Sequence, residues 1–293
     1  MMRVMLFVAT NLAVMLVLGL VSSIFGLNRS SGGLGGLLLF SAVIGMTGAM
    51  FSLLISKWMA KRSTGAQVIV EPRTEEQAWL LATVKRHADK AGIGMPEVAI
   101  YEGPELNAFA TGWNRNQALV AVSTGLLRQM RRDEVEAVLG HEVSHVANGD
   151  MVTLSLLQGV LNTFVVFFSS IVASIVSSAL RRNDDDGPGM LDSIVHTVIY
   201  MVLQVLFGLL ASMVVMWFSR YREFRADAGG ASLASRQSMV NALRRLGGDV
   251  NDHPLPEQFR AMGIAAGQVH GWQKLFMSHP PLAERIAALE AVR

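Results

Sequence analysis

The chain has 293 residues, of which 51% are hydrophobic and only 16% charged, with a formal net charge of +2. Soluble domains carry roughly 25% charged residues, so a large part of this chain belongs in lipid rather than in a water-exposed globule. The small net charge, with Lys and Arg scattered along the chain, argues against a nucleic-acid partner; the absence of cysteine excludes disulfides and thiolate chemistry and leaves His and carboxylate to bind any transition metal.

The first apolar stretch runs from Val4 to Phe25. A signal peptide is its competing reading, because Arg3 gives it a charged start and Val21, Ser22 and Ser23 include small residues. Its apolar run exceeds the roughly 7 to 15 residues usual for a signal peptide, so we read it as a transmembrane helix. A short Gly/Ser connection, Ser30 to Gly36, leads into the second stretch, Gly35 to Ile55, which reaches the roughly 20 residues that cross a bilayer core. Thr74 with Gln77 then makes a capping box, Trp79, Leu80 and Val84 follow at helical spacing and Gly92 supplies a stop, predicting a helix of about four or five turns. Glu97 to Tyr101, Asn107 to Thr111 and Leu119 to Val122 are short apolar or β-branched runs between Gly, Pro and Asn, which predicts a small sheet. Asp133 with Glu136 caps the next helix, which ends near Asn148 and Gly149. The third and fourth apolar stretches, Val152 to Leu180 and Ile194 to Phe218, flank an acidic loop, Asn183 to Gly189. Their polar residues Gln158, Asn162, His196 and Gln204 read as glue between helices, and the lack of Asp, Glu, Lys or Arg at mid-depth argues against a transporter.

The organisation that follows has two N-terminal transmembrane helices over 1–62, the first part of a catalytic domain over 63–151, a transmembrane hairpin over 152–218 and the second part of that domain over 219–293. Arg3, then Lys57, Lys61 and Arg62, then Arg220, Arg222 and Arg225 fall on one side of the membrane, which places both termini and the polar segments in the cytoplasm; Arg181 and Arg182 dissent.

The run His141-Glu142-Val143-Ser144-His145 lies on the helix capped near Asp133. Histidines four apart project from one helix face, so both rings can bind one metal ion, and two imidazoles favour zinc. Glu142, turned by about 100°, can stand beside a metal-bound water as general base. Such a five-residue match arises by chance in roughly one chain per hundred of this size, so a third ligand is needed to lift it above accident. Glu223 and Asp227, four apart just after the fourth stretch, supply candidates: Glu223 as ligand and Asp227 as acceptor of the other ring N–H of a liganding His. Taken alone they would read as a solvated, salt-bridging face.

The pattern HEVSH followed after one hydrophobic hairpin by REFRAD, together with Asn107 to Gly112, Ser123 to Leu127, His145 to Asp150 and His279-Pro-Pro-Leu282 with Arg285, resembles the HtpX group of the M48 peptidases, the family that includes the membrane CAAX-prenyl proteases. The resemblance implies an α+β zincin-type catalytic domain, mainly α with a small β-sheet, joined to four membrane helices. It implies one Zn2+ per chain held by His141, His145 and Glu223, with Glu142 as base. It also implies a multi-pass endopeptidase of the bacterial inner membrane whose partners are the lipid bilayer and unfolded or damaged membrane proteins, in stress-related quality control. Arg225 departs from the His found in some members but leaves the ligand set intact.

Two further positions carry weaker expectations. His279 could approach the metal and stabilise an oxyanion, although a His before a proline-started helix is more often structural. Asn107 to Thr111 could be an edge strand onto which an extended substrate adds, with an ordinary buried strand as the competing reading. His87, His196, His253 and His270 have no partner at ligand spacing, and Trp272, Leu275 and Phe276 read as core. An intramembrane protease is disfavoured because Arg131, Arg132, Asp133, Glu134 and Glu136 crowd the motif; a noncatalytic zinc-containing chaperone is the alternative from outside the enzymes.

Overall fold

The computed structural model describes residues 33–180, 190–252 and 277–291. The expected span Val4 to Phe25, the Asn183 to Gly189 loop, His253, His270 and Trp272 to Phe276 lie outside the described residues. Among the described residues, three helices are long and apolar enough to cross a membrane: α1 (Gly33–Thr64), α5 (Asp150–Leu180) and α6 (Met190–Leu233). The described residues form two compact units, one made by those up to Phe51 with those within Ser155–Val215, the other by Ser52–Leu154 with those from Met216 onwards.

In the first unit, small residues let helices approach closely, as in many membrane bundles. A Cβ on Gly45 would run into the backbone of Thr163, and one on Gly159 would lie 2.7 Å from the Met46 sulfur. Gln158 donates to Asn162 at 2.9 Å within α5, so this polar pair is satisfied along its own helix rather than across to another.

The second unit holds a four-stranded sheet in the order β1 (Gln67–Val68), β2 (Glu97–Tyr101), β4 (Leu119–Ser123), β3 (Ala108–Thr111). β2 and β4 run parallel; the outer pairs are antiparallel. All five β4 residues are buried, which is why that run lacks polar alternation and takes the centre. The main core lies between the sheet and α2 (Glu75–Ala91), α4 (Arg132–Asn148), α7 (Arg236–Asp252) and α8 (Leu282–Ala291), with the short α3 (Thr124–Gln129) following β4. α2 starts as its capping residues dictate, with Thr74 Oγ1 accepting from Gln77 N–H at 3.2 Å, and stops at Gly92, whose φ of 67° a side chain would strain.

Two helix boundaries differ from expectation. α4 begins before Asp133: the Glu134 carboxylate accepts from the Arg131 backbone N–H at 2.8 Å, so Arg131 is the cap and Asp133 lies in the first turn. The fourth apolar stretch and the segment carrying Glu223 are one continuous 44-residue helix, α6, because neither Gly nor Pro interrupts Phe218 to Asp227.

Candidate metal centre

α4 packs against the sheet with one face and against the second half of α6 with another. The helix pair can come close because glycines face each other: a Cβ on Gly140 would lie 3.3 Å from Gly230 Cα, one on Gly230 would lie 3.0 Å from the His141 amide nitrogen, and one on Gly229 would collide with Ser144 Oγ. This closeness brings a carboxylate of α6 to two imidazoles of α4.

His141 Nε2 and His145 Nε2 stand 3.1 Å apart, His145 Nε2 lies 3.2 Å from Glu223 Oε1, and His141 Nε2 lies 3.6 Å from Glu223 Oε2. Ligand atoms about 2.05 Å from a tetrahedral ion would be separated by about 3.3 Å, and all three distances lie near that value, the two to Glu223 ending on its two different oxygens. The tautomers agree with that use. His145 Nδ1 faces Asp150 Oδ2 at 2.6 Å and His141 Nδ1 faces Asp227 Oδ1 at 3.0 Å. A carboxylate at Nδ1 keeps the proton there and leaves both Nε2 lone pairs aimed at each other. That arrangement is repulsive unless a proton on one Nε2 or a metal ion lies between them. Glu223 is 1% exposed and brings a buried carboxylate to the two imidazoles, so the donor set fits a metal ion that takes two nitrogens and one oxygen.

A buried polar shell holds the donors in place. Arg285 of α8, fully buried, forks onto Asp227 with Nε to Oδ2 at 2.7 Å and NH2 to Oδ1 at 2.5 Å, and its NH1 lies 3.3 Å from Glu223 Oε2. Burial would lower the Arg285 pKa, but Asp227 and Glu223 raise it, so the guanidinium stays charged. Burial would likewise lower His145, yet Asp150 and Glu223 push it up to about 10. Burial raises Glu142, against the pull of His141 and His145 and with the help of Glu223.

Of the positions singled out in the sequence, His141, Glu142, His145, Glu223, Asp227 and His279 come together here. His279 Nδ1 lies 2.8 Å from Glu223 Oε2, while its Nε2 is buried without a hydrogen-bond partner among the described residues. Asn107 is engaged elsewhere: its Nδ2 donates to Tyr101 Oη at 2.8 Å, and its carbonyl accepts from Ser123 N–H at 2.9 Å. It lies just ahead of β3, which forms one edge of the sheet. Asp150 and Arg285 were singled out in the sequence without a role. The spacing of Asp150, five residues past His145 and just after the helix-ending Gly149, is the only local signal for the first.

Residues 74–293 match the profile of peptidase family M48. A protein named Protease HtpX from Xanthomonas campestris pv. campestris (strain B100) is 58% identical over 289 residues, covering 99% of this chain and 97% of its own length. One of the same name from Xanthomonas oryzae pv. oryzae (strain MAFF 311018) is 57% identical with the same coverage. Among solved structures, S. mikatae Ste24p is similar with a TM-score of 0.58 at 17% identity, over 94% of this chain and 67% of that one, a likeness of fold.

Proposed function

Because the chain belongs to peptidase family M48 as an HtpX-type membrane metalloprotease, we propose that it is a zinc-dependent endopeptidase that cuts cytoplasmic regions of misfolded or damaged membrane proteins, from a multi-pass position in the bacterial inner membrane. The observation that carries this reading is the convergence of three donor atoms with spacings suited to one tetrahedral ion, next to a buried Glu142.

His141, His145 and Glu223 would hold the zinc. When bound, the ion supplies a Lewis acid that acidifies water and polarises the scissile carbonyl. Glu142 accepts the proton of the attacking water, and its raised pKa suits it to hold that proton and then deliver it to the departing amide nitrogen. The products are a carboxylate and an amine. Asp227 and Asp150 fix the two rings through Nδ1. For His279 the proposed role is to donate to the developing oxyanion from Nε2, which requires a proton there as well as on Nδ1, the nitrogen 2.8 Å from Glu223 Oε2. The β3 edge offers backbone hydrogen bonds to an extended substrate, which suits loose sequence preference, and Asn107 fixes the entry to that edge.

The test is cleavage of a disordered protein such as casein by the zinc-loaded protein in detergent, beside Glu142→Gln. Cleavage by the parent alone supports the reading. Equal cleavage by both, or none by either across detergents and metals, sinks it.

A further inference from the structure

The end of the sheet that carries the β3–β4 turn has an unusual surface. Trp113 is 50% exposed there, beside exposed Arg115, and Met95, in the loop before β2, is 38% exposed. These two loops are tied together, since the Gly94 amide donates to Asn116 Oδ1 at 2.9 Å. A large exposed Trp in a polar turn is costly in water and contributes nothing to the cores described above.

α1 shows where this end of the sheet belongs. Lys57 Nζ donates to the Gln117 carbonyl at 2.8 Å and pairs with Glu97 at 2.9 Å, and Lys61 reaches the same Glu97 at 3.3 Å. The turn and the start of β2 are thus held by lysines that follow Ile55, where the apolar run of α1 ends, by two and six residues. On a helix this places them about 3 and 9 Å beyond the hydrocarbon edge. The headgroup layer on one side of a bilayer is about 5 to 7 Å thick, so the held turn falls at its level. Trp58, 62% exposed with Arg62 6.0 Å from its ring, marks the same level on α1. Trp and cationic side chains are the residues enriched in that layer.

We propose that the β3–β4 turn is a membrane contact in its own right, with Trp113 inserted into the headgroup layer and Arg115 beside the lipid phosphates. The partner is the bilayer surface, and the inference rests on the reading of α1 as a membrane span. β3 ends two residues before Trp113, so a peptide paired along that edge enters or leaves at the lipid surface. Selection of substrates that emerge from the membrane then follows from geometry, without recognition of their sequence.

The chain contains no cysteine, so single spin labels can be placed on the full-length protein in phospholipid vesicles. Labels at Gln117→Cys, which keeps Trp113 and Arg115, at Arg128→Cys, exposed on α3 at the other end of β4, and at Leu39→Cys, 68% exposed on α1, are compared for access by oxygen, which partitions into lipid, and by a water-soluble nickel complex. The expected result is a rise in the oxygen-to-nickel ratio at 117 over that at 128, with loss of that rise when Trp113→Ser is added. A label at 117 as open to nickel as that at 128 overturns the proposal. So does one shut to both reagents, which means a protein covers the turn, and so does a ratio that ignores Trp113→Ser. High oxygen access at 39 shows that α1 spans the bilayer; its absence is a failure of that reading instead, and neither outcome depends on proteolysis or metal.

Discussion

Replacement of Arg285 by Met gives the sharpest test of how the metal centre is held. The guanidinium is fully buried and makes three contacts to the Asp227 and Glu223 carboxylates, each of them 1% exposed. Without it, Asp227 keeps among the described residues only the His141 ring at 3.0 Å as a partner for a buried charge. Breaking a buried pair from one side costs about 3–5 kcal/mol, a large share of the roughly 5–15 kcal/mol that holds a domain together. Loss of the group that orients a ligand's own partner weakens metal binding by about 10–100-fold. Arg285→Met should therefore unfold earlier and release zinc to a competing chelator at lower chelator concentration, even where it remains folded. Adding Asp227→Asn removes the stranded charge, so the double variant should be less destabilised than the two single losses sum to, by about 0.5–3 kcal/mol of coupling. Zinc retention is read by chelator titration and stability by urea unfolding of metal-free protein. If Arg285→Met matches the parent in zinc affinity and unfolds within about 0.5 kcal/mol of it, Arg285 is not what holds the site.

Two other perturbations probe the frame around the site. Gly229→Ala drives a methyl group into Ser144 Oγ, which already donates to the Gly140 carbonyl at 2.7 Å, and overpacking of this kind costs about 1–3 kcal/mol. Melting temperature and zinc retention should both fall and should recover in part with Ser144→Gly; Gly230→Ala, which meets the His141 and Ala137 backbone at 3.0 and 3.1 Å, should not be rescued this way. His87 is fully buried, its Nε2 lies 3.1 Å from the Glu136 carbonyl, and burial holds its pKa below 6.5. Above 6.5 neither the folded nor the unfolded chain protonates it; as pH falls below 6.5 the unfolded chain takes up a proton that the folded chain refuses, and stability drops. Urea midpoints measured on either side of pH 6.5 should therefore fall more steeply with acid for the parent than for His87→Leu, and parallel curves would remove His87 from the account.

Features governed by a few neighbouring residues were legible in the sequence. The Thr74 cap, the Gly92 stop, the three strands and the helical placement of HEVSH follow from side chains within about one turn of one another, and the structure has each of them. The start of α4 was misplaced because two acids three residues beyond two different starts offer the same cap, and only the reach of Glu134 back to Arg131 decides between them. Asp227 and Glu223 were visible through their four-residue spacing, but what holds them was not. Arg285 stands 58 residues beyond Asp227, and a lone Arg in an otherwise ordinary helix carries no local sign that it will be buried. Nor does any pattern announce that Gly229 and Gly230 are the surface against which His141 and Ser144 pack; isolated from its partner, a glycine pair in a helix reads only as weakness.

The charge of the assembled centre explains why these distant pieces are needed together. Glu142, Glu223, Asp227 and Asp150 are all buried, and they face two guanidiniums: Arg285, which pairs with Asp227 and Glu223, and Arg222, whose field reaches Asp150 and Glu223. Glu223, Asp227 and Asp150 already outnumber the two guanidiniums in a place with little water, and Glu142, whose carboxyl burial pushes up, adds to the excess when it is ionised. Buried charge of this kind must be neutralised, either by protons or by a metal ion. The rise of His145 to about 10 is the protonic answer: with Asp150 on one nitrogen and Glu223 on the other, the ring is drawn to become a cation. A divalent ion held where the Nε2 atoms and Glu223 converge would satisfy the same excess in place of that proton. Asp227 and Arg285 then act as a neutral pair that orients His141 without adding to the excess.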